Sequence, residues 1–163
     1  KNIAPGKNRH FAAEAFPFIG KEIWQDAREE AIEGEIENDF RAYASDIDPA
    51  CVALAEKNAR AAGVSDVIKV FHMDARKIAA EGRRATIVTN PPYGERMGTE
   101  RQVEALYREI GEHFRSLSPW QVYIITSHPA FERFYGKKAD KVRKLYNGML
   151  PCYLYQYFKN EKK

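Results

Sequence analysis

The stretch Ala85–Gly94, ATIVTNPPYG, begins as a strand and stops abruptly. Thr86, Ile87, Val88 and Thr89 are all β-branched and favour extended backbone. Pro91 and Pro92 donate no N–H, so a ladder cannot run on through them, and Gly94 lets the chain turn. Working outward, Gln121–Thr126 reads as a near-continuous apolar strand of the kind buried in a parallel sheet. Val67–Phe71 is a further β-branched strand, and Arg41–Ser45 is a short one ending at Asp46. Helical patterns separate them. Lys21–Glu33 places Ile23, Ala27 and Ala31 on one face. Asp48 suits an N-cap with Pro49 in the first turn, and Gly63 suits the far end of that helix. Thr99 and Gln102 form a capping box ahead of the stripe Val103, Leu106, Tyr107, Ile110, Phe114 and Leu117. A short helix is expected near Ala130–Tyr135. A hairpin comes next, Val142–Tyr146 and Cys152–Phe158, with Asn147-Gly148 as its turn signal. Residues 1–20, with Pro5, Gly6, Pro17 and Gly20, read as mostly irregular. This alternation predicts an open α/β sheet, mostly parallel, closed by a C-terminal antiparallel hairpin.

Composition narrows the class. At 163 residues, 44% hydrophobic and 30% charged, the chain has the length of one domain and enough apolar mass for a core. No apolar run approaches the ~18 residues of a membrane span. Cys51 and Cys152 give neither a disulfide framework nor zinc-ligand spacing, and a reduced cytosolic setting is expected. The net charge of +3 permits nucleic-acid binding without requiring it. Lys137, Lys138, Lys141, Arg143 and Lys144 crowd one stretch, and Lys159, Lys162 and Lys163 lie near the end. That run is either a solvated face or a nucleic-acid contact. The opening Lys-Asn-Ile, without a Met or an apolar leader, reads as part of something longer.

In open α/β sheets ligands sit beyond the carboxyl ends of the strands. Asp46, at one such end, can accept hydrogen bonds from ribose hydroxyls, while Asp48 reads as a helix cap. Asp74 can accept from an adenine amino group with the Ala75 N–H donating to the ring, or it can simply cap the next few residues. His72 has no second histidine at metal-ligand spacing, and neither do His10, His113 and His128, so no metal is expected. Asn90-Pro91-Pro92-Tyr93 is the most informative segment. The prolines alone would mark only a strand stop. An amide before them and an aromatic after them fit a further task. The Asn90 side-chain oxygen and the Pro91 carbonyl are two acceptors that can grip an exocyclic –NH₂. Gripping both hydrogens favours a pyramidal nitrogen whose lone pair is free to attack. Tyr93 offers a face to a base drawn out of its stack.

These residues resemble a known family. Asp46-Ile47-Asp48, Asp74-Ala75 and NPPYGERMG (Asn90–Gly98) are similar to class I, Rossmann-like S-adenosylmethionine-dependent amino-methyltransferases. NIAPGKNRHFAAE near the start and KLYNGML before the last strand narrow this to the bacterial THUMP-containing 23S ribosomal-RNA guanine-N2 methyltransferases. The resemblance runs over nearly the whole chain. It implies methyl transfer from S-adenosylmethionine to guanine N2 in ribosomal RNA. Asp46 and Ile47 would lie at the cofactor ribose and Asp74 and Ala75 at its adenine. Asn90, Pro91, Pro92 and Tyr93 would hold the target base. Read from their charge, the basic residues Lys137, Lys138, Lys141, Arg143 and Lys144 are the candidate RNA contacts.

One departure matters. The family's first strand and glycine-rich loop, and its THUMP domain, are not found in these residues, and no Gly-x-Gly occurs. The chain is therefore expected to be the C-terminal part of a catalytic domain, inactive alone, with weak or absent cofactor binding. Two strands would lack a neighbour and invite self-association. Competing readings are an adenine-N6 or glutamine-amide methyltransferase with the same Asn-Pro-Pro-Tyr chemistry, a non-catalytic RNA-binding module, and a nucleotide-binding domain in which the segment is only a turn.

Overall fold

A computed structural model describes residues 1–79, 85–93, 99–117 and 121–158. It divides into two compact units, Lys1–Asp74 and Ala75–Lys163.

In the first unit, helix α1 (Lys21–Glu33) follows a mostly irregular segment with one 3-10 turn at Ala12–Ala15. The predicted apolar face of α1 is not the covered one, since Ile23 is 57% exposed. The less exposed residues are Trp24, Arg28 and Ala31. Trp24 stacks on Phe11 at 5.8 Å, and Arg28 donates to the Lys7 and Arg9 carbonyls and to Glu14. An aromatic and a guanidinium reach further than two alanines, so they set the helix rotation. Strand β1 (Ala42–Asp46) pairs in parallel with β2 (Ile68–His72) through helix α2 (Pro49–Ala61). Asp48 caps α2 by accepting from the Ala50 N–H at 2.8 Å. Gly63, at φ 69°, supplies the left-handed residue after its end.

In the second unit, β3 (Thr86–Thr89) and β4 (Gln121–Thr126) pair in parallel across helix α3 (Glu100–Ser116). The Thr99–Gln102 capping box is present. After helix α4 (Phe131–Tyr135), β5 (Lys141–Asn147) and β6 (Leu150–Tyr157) form the hairpin. β6 inserts antiparallel beside β4, giving the order β3-β4-β6-β5. The turn sits one residue later than its sequence signal. Asn147 pairs with Leu150, and Gly148-Met149 are the central residues. Gly148 takes φ 62°, and Met149 is not among the residues with positive φ, the pattern of a type II′ turn. The core lies between this sheet and α3 and α4, around Tyr107, Ile110, Phe114, Ile124, Phe131 and Tyr155. Gly111 permits that closeness, because a Cβ there would lie 2.3 Å from the Tyr135 carbonyl oxygen.

Among the described residues the strands form two sheets, with two parallel and two antiparallel pairings. Among the described residues β1 pairs only with β2, and β3 only with β4. Both therefore stand at a sheet edge among the described residues. No helix among the described residues is long and apolar enough to cross a membrane.

Candidate functional site

Asn90 follows the carboxyl end of β3, whose last residue Thr89 is level with Ile124 of β4. Asn90 is exposed, Pro91 is buried, and Pro92 and Tyr93 are half-buried. A run of hydrogen bonds of determined direction fixes this segment. The Pro92 carbonyl can only accept, so the Tyr107 hydroxyl donates to it at 2.9 Å. Tyr107 has no second proton. The Thr126 hydroxyl, 2.9 Å away, must therefore donate to the Tyr107 oxygen. Thr126 Oγ1 in turn accepts the His128 backbone N–H at 3.1 Å. Tyr107 and Thr126 are both fully buried, and burial pushes the Tyr107 phenol up, against the opposing Thr126 hydrogen bond, which keeps it a neutral donor.

The other side of the segment is held differently. Thr126 pairs with Tyr153, so those two side chains share the helix-covered face. Cys152, the next residue along β6, points to the opposite face. Its Sγ lies 3.9 Å from the Tyr93 hydroxyl. Asn90–Tyr93 therefore crosses the sheet end, tied to α3 on one face and to β6 on the other.

In the first unit, Asp46 and Asp74 lie near one end of the β1–β2 pair, where Asp46 is level with His72 and the Met73 N–H donates to the Asp46 carbonyl. Asp46 Oδ1 accepts the Asp48 N–H at 2.8 Å, while Oδ2 has no partner among the described residues. The Ile47 carbonyl lies 2.9 Å from His72 Nε2. Asp74 directly precedes the 3-10 turn Ala75–Lys77, whose first residue belongs to the second unit. Lys137, Lys138, Lys141, Arg143 and Lys144 are all exposed. Gly94–Gly98 and Lys159, Lys162 and Lys163 lie outside the described residues.

Two features escaped the sequence reading. Tyr107 and Thr126 read as members of an apolar stripe and an apolar strand, and no local signal marks either hydroxyl as a tether. The second is a trio, Glu100, Glu104 and His128, whose ligand atoms lie within 4.8 Å of one another. His128 Nδ1 accepts the Ala130 N–H at 3.2 Å, so the neutral ring carries its proton on Nε2. That atom has no hydrogen-bond partner among the described residues.

A family profile described as RMKL-like, methyltransferase domain, matches residues 1–156. The chain is 43% identical over 159 residues to Bacillus subtilis YpsC, a candidate RNA methyltransferase, covering 97% of this chain and 41% of that one. It is 37% identical over 157 residues to the ribosomal RNA large subunit methyltransferase K/L of Shewanella baltica, covering 93% and 22%. Thus the chain spans well under half the length of these relatives. Among solved structures it resembles SMU.472, a candidate methyltransferase complexed with SAH, with a TM-score of 0.88 and 40% identity over 99% of this chain and 43% of that one. It also resembles a Listeria monocytogenes protein designated an N6-adenine-specific DNA methylase, with a TM-score of 0.83 and 39% identity over 98% and 41%.

Proposed function

This chain belongs to the RMKL-like methyltransferase domain family, and on that premise we propose that it is the C-terminal part of an enzyme that methylates guanine N2 in ribosomal RNA. The observation that carries the reading is the doubly tethered Asn90–Tyr93 segment at the end of β3. The name of the Shewanella relative supports ribosomal RNA as the substrate, and the SAH bound to SMU.472 supports S-adenosylmethionine as the donor. S-adenosylmethionine, when bound, supplies the methyl electrophile. The unpartnered Asp46 Oδ2 fits a ribose hydroxyl, with Ile47 beside it, and Asp74 and Ala75 suit the adenine.

The chain's own residues do the rest. Asn90 and the Pro91 carbonyl accept hydrogen bonds from the target amine and direct its lone pair. Tyr93 stacks on the base, and Pro92 is anchored through its carbonyl so that its neighbour Pro91 keeps its orientation. Rate comes chiefly from proximity and orientation. The methylated amine can release its proton to water, so neither cysteine nor a strong general base is required. Residues outside this chain complete the cofactor site, and isolated residues 1–163 bind the cofactor weakly. Lys137, Lys138, Lys141, Arg143 and Lys144 contribute cationic contacts to RNA.

Adenine N6 is the second reading, favoured by the designation of the Listeria structure. The test is nucleoside mass spectrometry of ribosomal RNA from cells with and without the gene for this chain. Loss of N2-methylguanosine on deletion, restored by the wild-type gene but not by Asn90→Ala, is the expected result. Loss of N6-methyladenosine instead, or no change, overturns the guanine assignment.

A further inference from the structure

The β5–β6 hairpin reaches past the sheet end that carries Asn90–Tyr93. The last pair between β4 and β6 is Thr126 with Tyr153. Beyond it β5 and β6 continue to pair, through Leu145 with Cys152, Tyr146 with Pro151 and Asn147 with Leu150. At ~3.3 Å per residue, the four steps from Tyr153 to Met149 carry the tip roughly 13 Å beyond that last pair. β3 and β4 are parallel and both run toward this end, so the tip overhangs the strand end from which Asn90 follows.

The tip presents apolar groups to solvent. Met149 is 98% exposed, Tyr146 65% and Leu150 46%, and a Cβ on Gly148 would meet nothing within 4 Å. Its flank is cationic. All seven residues of β5 are exposed, three of them are Lys141, Arg143 and Lys144, and no acid occurs from Lys141 to Phe158. Alternation along the strand puts Lys144 on the face of Tyr146, with its Nζ 5.3 Å from the ring centroid, and Arg143 on the other face. An apolar patch without acids and with cations on both flanks matches phosphates and bases better than a protein surface of mixed charge.

We propose that this tip grips single-stranded RNA beside the reacting base. Tyr146 stacks on a neighbouring base, Met149 fills the space that an extruded base vacates, and Lys141, Arg143 and Lys144 face the phosphates. The proposal rests on RNA being the substrate. A base must leave its stack to reach Asn90, and an inserted apolar side chain offsets the cost of unstacking.

Fluorescence anisotropy of a labelled single-stranded RNA of mixed sequence, titrated with the full chain, tests it. Tyr146→Ala is expected to weaken binding about tenfold, the loss of one stacked base, and Tyr146→Phe to restore it. Lys144→Gln should flatten the salt dependence by about 0.7 in the log–log slope, the value of one phosphate contact on a single strand. Melting temperatures should stay at the wild-type value. RNA affinity unchanged in Tyr146→Ala overturns the proposal, as does no RNA binding by the wild type. A lowered melting temperature or altered solution mass in Tyr146→Ala also overturns it, since the tip then packs on protein. The reaction is read separately. If Tyr146→Ala loses RNA while N2-methylguanosine proves not to be the product, the tip stands as an RNA contact and the guanine assignment falls.

Discussion

Lys1–Asp74 and Ala75–Lys163 are similar in length, yet among the described residues only Ala59 and Val67 of the first are buried apolar residues, while the second builds a core of large side chains around α3. The first has a two-stranded sheet crossed by α2, and neither α1 nor β1 nor β2 has a buried residue, so it has little apolar surface to enclose. The second stacks two helices on four strands and encloses Tyr107, Phe131 and Tyr135 completely or nearly so. The contrast maps onto the proposed chemistry. Asp46, exposed, and Asp74, half-buried, stand at strand ends and suit the polar parts of a cofactor. A segment that must direct a lone pair needs a rigid base, and the Asn90–Tyr93 segment is anchored to buried Tyr107 and Cys152, with Thr126 bonded to Tyr107 behind it.

The contrast breaks if truncations to alanine in the two units cost equal stability. Phe131→Ala should destabilise the second unit by about 3–5 kcal/mol, whereas Leu54→Ala, at an exposed position of α2, should cost under ~0.5 kcal/mol. Denaturant titration of both variants measures this. Gly111→Ala sharpens it. In an open helix that change adds up to ~1 kcal/mol of stability. Here it should remove about 1–3 kcal/mol, because the new methyl meets the Tyr135 backbone. A stabilised Gly111→Ala variant would show that α3 and α4 are not in close contact.

Tyr107→Phe deletes one oxygen from the buried relay and should cost about 1–2 kcal/mol. Thr126→Val in the same background should then cost less than it does alone, so a double-mutant cycle of stabilities returns a coupling well above ~0.5 kcal/mol. Additive losses would mean that the two hydroxyls do not act together. Smaller effects are expected at the caps. Thr99→Ala and Asp48→Ala should each cost ~1 kcal/mol, the first melting the start of α3 and the second the start of α2, as read by amide exchange.

Extremes of pH should separate the units last and most gently. The Phe11 N–H and the Arg28 guanidinium hold Glu14 down to about 2 from an ordinary 4.5. Its contribution is present above pH 4.5 and fades as pH falls toward 2, loosening the first unit. Burial raises Tyr135 to about 12 from an ordinary 10.0, so its contribution is full below pH 10 and fades as pH rises toward 12, loosening the second. Residue-resolved amide exchange at pH 3 and pH 11 should show protection lost first in opposite units. Loss in the same unit at both ends would contradict the assignment.

Much of this chain was legible as sequence because much of it is local. The Thr99–Gln102 box, the Asp48 cap with Pro49, the stripe on α3 and the proline stop after β3 each depend on residues within a few positions of one another, so spacing alone reveals them. The rotation of α1 is not legible from local spacing because its partners, Phe11 and Glu14, lie at least a dozen residues upstream of Trp24 and Arg28. The hairpin turn moved one residue because pairing of Asn147 with Leu150 outweighed the preference of the Asn-Gly dipeptide.

The sequence by itself determined the alternation of strands and helices, the core face of α3, and the placing of Asn90–Tyr93 at a strand end. Only the tertiary structure decided what holds that segment. Tyr107 and Thr126 are 19 residues apart, and Cys152 lies 59 residues from Tyr93. No periodicity links such pairs, because a hydroxyl and a carbonyl become partners only when packing buries both and removes the water that either would otherwise bond.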